Sequence, residues 1–479
     1  MVNCVAELEI KRGVFQMNEL GASLLGRLVN AWRDIAGSRN EKGVSADLSA
    51  EGDAETLQEQ MQACLEGRGG EVTARANAAR LGRTYLDLDK VGRARFLRIL
   101  AEKFGADAEA VNVAVETLRE AGPKDRDTAM AFLRRTLDPP RKRLLTQFNE
   151  LPEGVKFLVD LREDLLGCID EPSMKALDED LRELLASWFD IGFLELRRIT
   201  WRSPASLLEK LIAYEAVHEV RSWNDLKNRL AQDRRLYGFF HPRMPDEPLI
   251  FVQVALVNGL AADVSVLLDE TAPTTDPNTA DTAIFYSITN AQRGLVGISF
   301  GGFLIKRVVD TLAAEFKGLK SFATLSPIPG FIRWVGGEAD KGTLGLTKEE
   351  ENSLSAAFAT ADSGEALAKI CDDVSWASDP SLTSVVEPIL TKMAARYLLT
   401  AKNSRGRVVD PVAHFHLTNG ALVERLNWMG DKSTHGLSQS AGLMVNYLYD
   451  LGRIEENHEA YTGEGNVTAS SAVEKLTKN

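Results

Sequence analysis

The sequence predicts an α+β protein: an all-helical bundle over residues 1–190, then a mixed strand-and-helix α/β region over 191–479. Three observations carry that expectation. Up to about residue 190, apolar residues recur three and four apart, the spacing of amphipathic helices. Beyond it come short runs rich in β-branched residues that read as buried strands: LIFVQVALV (Leu249–Val257), AIFYSI (Ala283–Ile288) and FATL (Phe322–Leu325). Between the second and third runs stand a glycine loop and a helical pattern, GGFLIKRVVDTLAAEF, from about Gly301 to Phe316, which together make a β-α-β unit.

Taken in order, the helical patterns are LGASLLGRLVNAWRDI (Leu20–Ile35), ETLQEQMQACL, DLDKVGRARFLRILAEKFG, AEAVNVAVETLREAG and AMAFLRRTL. Pro139-Pro140 interrupts, and RKRLLTQFNEL resumes. Gly105, Gly122 and Gly154 stand where helices stop. This region shows no chemistry of its own and reads as packing or oligomerisation. Ser203-Pro204 then resembles an N-cap followed by proline at the first helical position, opening SLLEKLIAYEAVH. Residues from Thr347 to Lys402 read as mostly helical. AGLMVNYLYDL (Ala441–Leu451) reads as a last strand, and the tail from Glu455 as polar and loose.

Composition narrows the function. Against 56 Lys and Arg stand 69 Asp and Glu, a net charge of −13, so nucleic acid is not an expected partner. The four cysteines (Cys4, Cys64, Cys168, Cys371) form no C-x-x-C pair, which argues against a zinc ribbon or a disulfide scaffold and for a reducing, cytoplasmic setting. The start, MVNCVAELEIKRG, lacks the apolar core of a signal peptide, and no run of 18 apolar residues predicts a membrane span.

GISFGG (Gly297–Gly302) admits two readings. As G-x-S-x-G it is a nucleophile elbow, with Ser299 as the nucleophile and Asp410 and His416 downstream as partners; no HGGG-like oxyanion segment accompanies it. As a glycine loop opening a helix it offers unpaired N–H groups and a helix dipole to an anion. Glycines 294, 297, 301 and 302 allow close approach, with Arg293, Lys306 and Arg307 nearby. His414 and His416 flank Phe415; they share a face on a strand but not on a helix. No carboxylate cluster completes a metal site around them, and no metal is expected. In LSPIPGF (Leu325–Phe331), Ser326 stands at the carboxyl end of a strand, where ligands bind.

Several segments together resemble malonyl-CoA decarboxylase: FLVDLREDLL, WFDIGFLELRRITWRSP, EAVHEVRSWNDLKNRL, DEPLIFVQVAL, AIFYSITNAQRGLVGI, FLIKRVV, LSPIPGF, PVAHFHLTNGA, RLNWMGD and SAGLMVNYLY, in that order from about Gly154 to Leu451. The resemblance implies a helical domain followed by a catalytic domain of the N-acetyltransferase-like (GNAT) fold. It implies conversion of malonyl-CoA to acetyl-CoA and CO2 with no cofactor. Residues Val296, Gly297, Ile298, Ser299, Phe300, Gly301 and Gly302 become the acyl-CoA loop, and the elbow a coincidence. Ser326 and His416 match the family's catalytic serine and histidine, and Ser287 a second active-site serine. Where this chain has Ser299, some members carry glutamate. Asn419, Tyr286, Tyr447 and Tyr449 are further candidates to contact the carboxylate, and a histidine pKa near working pH suits proton donation. A homo-oligomer, tetramer or dimer, is implied as well. A GNAT-type acyltransferase is the alternative.

Overall fold

The computed structural model describes residues 28, 31–36, 43–66, 70–189, 191–298 and 304–478. Ser299, Phe300, Gly301 and Gly302, and most of the helix expected over Leu20–Ile35, lie outside them. Eight helices run in succession from Asp53–Glu66 to Pro172–Trp188, and the first strand, β1 (Glu195–Ile199), follows. Side-chain caps fix several starts: Asp89 accepts from Gly92 N, and Asp107 from Glu109 N and Ala110 N. Gly154 opens the helix Gly154–Leu166 instead of stopping one. A Cβ there would lie 1.7 Å from the carbonyl oxygen of Phe148, so this glycine serves close packing, not termination.

The remaining strands are β2 (Arg234–His241), β3 (Met244–Val257), β4 (Thr282–Asn290), β5 (Ser321–Thr324), β6 (Ser326–Pro327), β7 (Leu422–Asn427) and β8 (Met444–Leu448). They form one sheet in the order β1-β2-β3-β4-β5-β8-β6, with β7 paired to β8. The pairs are antiparallel except β4 with β5, which the helix Leu304–Glu315 joins as the β-α-β unit expected. The architecture is the α+β one predicted, with a mixed sheet after the helices. The largest apolar cluster among the described residues runs through both parts, from Trp32, Phe148 and Phe157 among the helices to Phe239, Val254 and Phe285 in the sheet.

Two details of the sheet position the site. First, β4 and β5 pair only over Thr282–Phe285 and Ser321–Thr324; a last bond joins Leu325 N to Phe285 O, 3.0 Å. Beyond it β4 runs on to Asn290 against β3, while the chain after β5 crosses to β8 through Ser326–Pro327. The sheet therefore opens between β4 and β6. Second, the β3–β4 register slips by one residue, pairing Gln253 with Ser287 but Val254 with Phe285. Tyr286 and Ser287 consequently share the face of Ile284 and Ala255.

Expected helix starts and ends shift slightly. The helix after Ser203 begins at Ala205 with Pro204 as its cap residue, and the Ser203 hydroxyl instead accepts from Thr200 N. The tail is not loose. Helices Ile454–Glu464 and Ser471–Leu476 dock there, and Ile454, Tyr461 and Val473 are buried. Polar bonds add to these anchors, among them Asn457 Nδ2 to the Gly420 carbonyl at 3.2 Å and Ser470 Oγ to the Glu424 carbonyl at 2.7 Å. Among the described residues, no helix is long and apolar enough to cross a membrane.

Candidate active site

The helix Pro411–Thr418 carries both histidines. Asp410 caps it, accepting from Val412 N at 3.0 Å and Ala413 N at 2.8 Å, and Pro411 takes the first helical position. As a helix requires, the histidines diverge. His414 Nδ1 meets the Tyr461 hydroxyl at 2.6 Å. His416 turns inward and is buried, its Nε2 3.2 Å from Ser326 Oγ.

Ser326 is held by strand geometry. It stands two residues after Thr324, on the same face, and its hydroxyl donates to Thr324 Oγ1 at 2.9 Å. Thr324 Oγ1 also accepts from Tyr447 N at 3.1 Å. Asn446 Nδ2 donates to the Thr324 carbonyl at 2.7 Å. These bonds lock the chain where it crosses from β5 to β8, at the mouth of the sheet opening.

Two tyrosines of the β8 segment fix His416. The Tyr447 ring stacks on the imidazole, centroids 4.5 Å apart, and the Tyr449 hydroxyl lies 2.8 Å from Nδ1. With the serine proton committed to Thr324, Nε2 donates to Ser326 Oγ and Nδ1 accepts from Tyr449. Burial drives the electrostatics. It pushes the His416 pKa down to about 3, so the expected value near neutrality is not met and the resting imidazole is neutral. It also pushes the Tyr447 and Tyr449 hydroxyls well above their usual range, keeping both protonated.

Asp410 is not bonded to His416; its carboxylate serves the helix N-terminus. The triad needed by the elbow reading is therefore not assembled, and Ser299 lies outside the described residues. Ser287 is also apart from Ser326. The register places it on the opposite face, where its hydroxyl donates to both oxygens of Glu215 at 2.9 Å. Thr289 Oγ1 donates to the same carboxylate at 3.2 Å, as does Gln253 Nε2, and Tyr286 O–H donates to Gln253 Oε1 at 3.0 Å. Asn419 Nδ2 donates to the Phe415 carbonyl at 2.8 Å.

Of the loop expected to hold acyl-CoA, Val296 and Gly297 are exposed and Ile298 is buried; Gly297 has φ 77°, the left-handed region glycine favours. Arg307 is engaged elsewhere, donating to the Leu194 carbonyl at 2.8 Å, and Lys306 lies 3.5 Å from Glu455. Thr324, Glu215 and Arg162 escaped the sequence reading. Only Thr324 had a signal, its two-residue spacing from Ser326. Among the described residues, no group of three or more His, Cys, Asp or Glu is arranged to hold a metal ion.

Comparison with known proteins agrees with this layout. Residues 192–479 match the family model for the malonyl-CoA decarboxylase C-terminal domain, and 104–189 that for the N-terminal domain. A mitochondrial malonyl-CoA decarboxylase from Anser anser anser is 38% identical over 84% of this chain and 83% of its own length. The mitochondrial enzyme of Mus musculus is 38% identical over 80% of this chain and 81% of its own length. The crystal structure of malonyl-CoA decarboxylase from Rhodopseudomonas palustris superposes with a TM-score of 0.81 at 43% identity, covering 88% of this chain and 99% of that one. That from Agrobacterium vitis gives 0.79 at 42%, with the same coverage. With both family models matched in order and such relatives aligned over most of their length, the chain belongs to the malonyl-CoA decarboxylase family, a family of carboxy-lyases.

Proposed function

We propose that this protein converts malonyl-CoA to acetyl-CoA and CO2 without a cofactor, through a thioester enolate protonated by the Ser326–His416 pair. The observation that carries this reading is the buried Ser326 Oγ–His416 Nε2 contact of 3.2 Å, at the mouth of the opening between β4 and β6.

The chemistry needs little else. When the C–C bond to the carboxylate breaks, its electron pair passes to the α-carbon and delocalises onto the thioester oxygen, while CO2 departs. The thioester is thus its own electron sink. The enzyme holds the carboxylate out of the thioester plane, stabilises the enolate oxygen and delivers one proton to carbon. A preorganised donor at such an oxygen is typically worth ~3–4 kcal/mol. His416 gives up its Nε2 proton, which Ser326 positions or relays, as Nδ1 takes the proton of Tyr449; once the products leave, a proton from solvent returns to Nε2 through the opening and Nδ1 hands its own back to Tyr449. A neutral imidazole serves because it gains at one nitrogen what it gives at the other. Val296–Gly302, including Ser299, Phe300, Gly301 and Gly302, holds the coenzyme A pyrophosphate at the start of the helix Leu304–Glu315, and Ser287 with Glu215 supports β4 beneath the pantetheine arm.

The same proposal includes a homo-oligomer, dimer or tetramer, in the cytoplasm. The helices Ala108–Glu120 and Arg126–Leu137 leave Val113, Met130 and Leu137 exposed, which favours self-association.

Protein treated with chelator is incubated with malonyl-CoA, and CO2 and acetyl-CoA are followed beside Ser326→Ala and His416→Ala. Equimolar products from wild type, with rates lowered about 10²–10⁴-fold in both variants, are expected. Intact malonyl-CoA, acyl transfer to an added amine, or a rate abolished by chelation would overturn the reading.

A further inference from the structure

The loop that follows β4 is not held by the sheet alone. Arg162, on the helix Gly154–Leu166 of the N-terminal region, donates from Nη1 to the carbonyls of Gly294 and Val296, at 2.7 and 2.8 Å. Its side chain is buried, and its other nitrogens face Asp178 of the next helix: Nε at 2.7 Å and Nη2 at 3.4 Å. One planar guanidinium thus ties two helices to the loop, a geometry that lysine cannot reproduce. Gly294 completes the seating. A Cβ there would lie 1.8 Å from the Val159 carbonyl oxygen, so any side chain would lift the loop off this helix. The loop's inner side is fixed, with Gly294, Leu295 and Ile298 buried, while Val296 is 60% exposed.

We infer that Arg162 is a positioning residue for the coenzyme A end of the substrate, through which the helical region sets the enzyme's affinity for the nucleotide part. The inference rests on the function proposed above. Ligand-binding backbone is effective only when it is ordered before the ligand arrives, because ordering it afterwards subtracts from affinity. The helical region supplies that order. Ser326 and His416 sit on other elements, β6 and the helix Pro411–Thr418, and do not depend on Arg162 for their contact.

The test uses the full-length protein with Arg162→Lys and, as an independent route to the same displacement, Gly294→Ala. Three quantities are read: the Kd of coenzyme A by calorimetry, and turnover of malonyl-CoA and of S-malonyl-pantetheine, which lacks the nucleotide. Both variants are expected to raise the Kd and the KM for malonyl-CoA by about tenfold, with kcat, and kcat/KM for malonyl-pantetheine, held within about threefold. An unchanged Kd in a folded variant overturns the inference, as do equal losses on both thioesters, the signature of general structural damage. Wild type that binds coenzyme A yet leaves malonyl-CoA intact sinks the decarboxylase reading alone, and the calorimetric comparison still decides the role of Arg162. Wild type that fails to bind coenzyme A overturns both.

Discussion

Removing one oxygen atom from Tyr449 tests whether proton delivery extends beyond the Ser326–His416 pair. In Tyr449→Phe the ring is retained, and with it the edge contact to Phe285 at 6.3 Å; what is lost is the hydroxyl 2.8 Å from His416 Nδ1. His416 is buried, so no bulk water replaces that partner. A buried acceptor left without its donor costs about 1–3 kcal/mol. At about 1.4 kcal/mol per factor of ten, kcat falls roughly 5- to 150-fold if the whole penalty reaches the transition state. A second consequence points the same way. Without Tyr449, only the Ser326–Thr324 bond holds the imidazole in the tautomer that carries hydrogen on Nε2. The assay is the initial rate of acetyl-CoA formation over a range of malonyl-CoA concentrations, with thermal unfolding as a check on the fold. The KM is expected to stay within about threefold, because the lost bond is made before substrate arrives. A folded Tyr449→Phe protein with kcat within about twofold of wild type would refute the relay and leave Tyr449 a packing residue.

Three further predictions concern stability. The folded pKa of His416, about 3, lies below its unfolded value of ~6.5, so the unfolded chain takes up the proton first. The stability that His416 contributes is therefore fully present above pH 6.5 and is lost progressively as pH falls toward 3. Between pH 8 and pH 5 wild type should lose about 2 kcal/mol more than His416→Asn, measured by denaturant titration across that range. Gly420 has φ 79°, and a Cβ there would meet the Ile454 carbonyl oxygen at 2.2 Å. Gly420→Ala should cost about 1–3 kcal/mol in urea unfolding and lower kcat too, since Ala421 N bonds the His416 carbonyl at 3.1 Å. Lys210 and Glu247 form a buried pair at 2.5 Å. Lys210→Met alone should cost about 3–5 kcal/mol, and adding Glu247→Leu should recover much of it, a double-mutant comparison.

How much of this was legible in the sequence follows from where the side chains spend their hydrophobicity. Strands buried on both faces read as continuous apolar runs, so the expected Leu249–Val257, Ala283–Ile288 and Phe322–Leu325 fall within one residue of β3, β4 and β5 at most shared ends; β3 begins earlier, at Met244. Strands β1 and β7, ELRRI and LVERLN, were missed because charged residues make up their pattern. Arg425 carries its charge to the carbonyls of Leu260 and Ala261 and to Asn446 Oδ1, contacts that no local window contains. Strand β2 escaped through its arginines and Gly238. At the site, Ser326 and His416 came by resemblance, and the spacing in HFH left open whether its histidines share a face until the helix Pro411–Thr418 decided it. The bonds that set the tautomer were not legible, because Tyr449 is 33 residues from His416. Nor was the slip that turns Ser287 toward Glu215, since a one-residue bulge leaves no mark in an apolar run.

The depressed histidine pKa yields a last prediction, about rate. A charged His416 would pair with the malonyl carboxylate and hold the negative charge where it starts, whereas the reaction requires that charge to move onto the thioester oxygen. A neutral imidazole places no such anchor, and its proton remains available to the α-carbon. Because kcat/KM reports ionisations of the free enzyme, and His416 titrates near 3 there, kcat/KM should show no acid limb from this residue between pH 5 and pH 8. The measurement is the initial rate at low malonyl-CoA in overlapping buffers of constant ionic strength. A limb with an apparent pKa of about 6–7, the ordinary histidine range, that disappears in His416→Asn would refute the argument. It would mean that the imidazole is charged in the working enzyme, and that the donor is the imidazolium and not the relay through Tyr449.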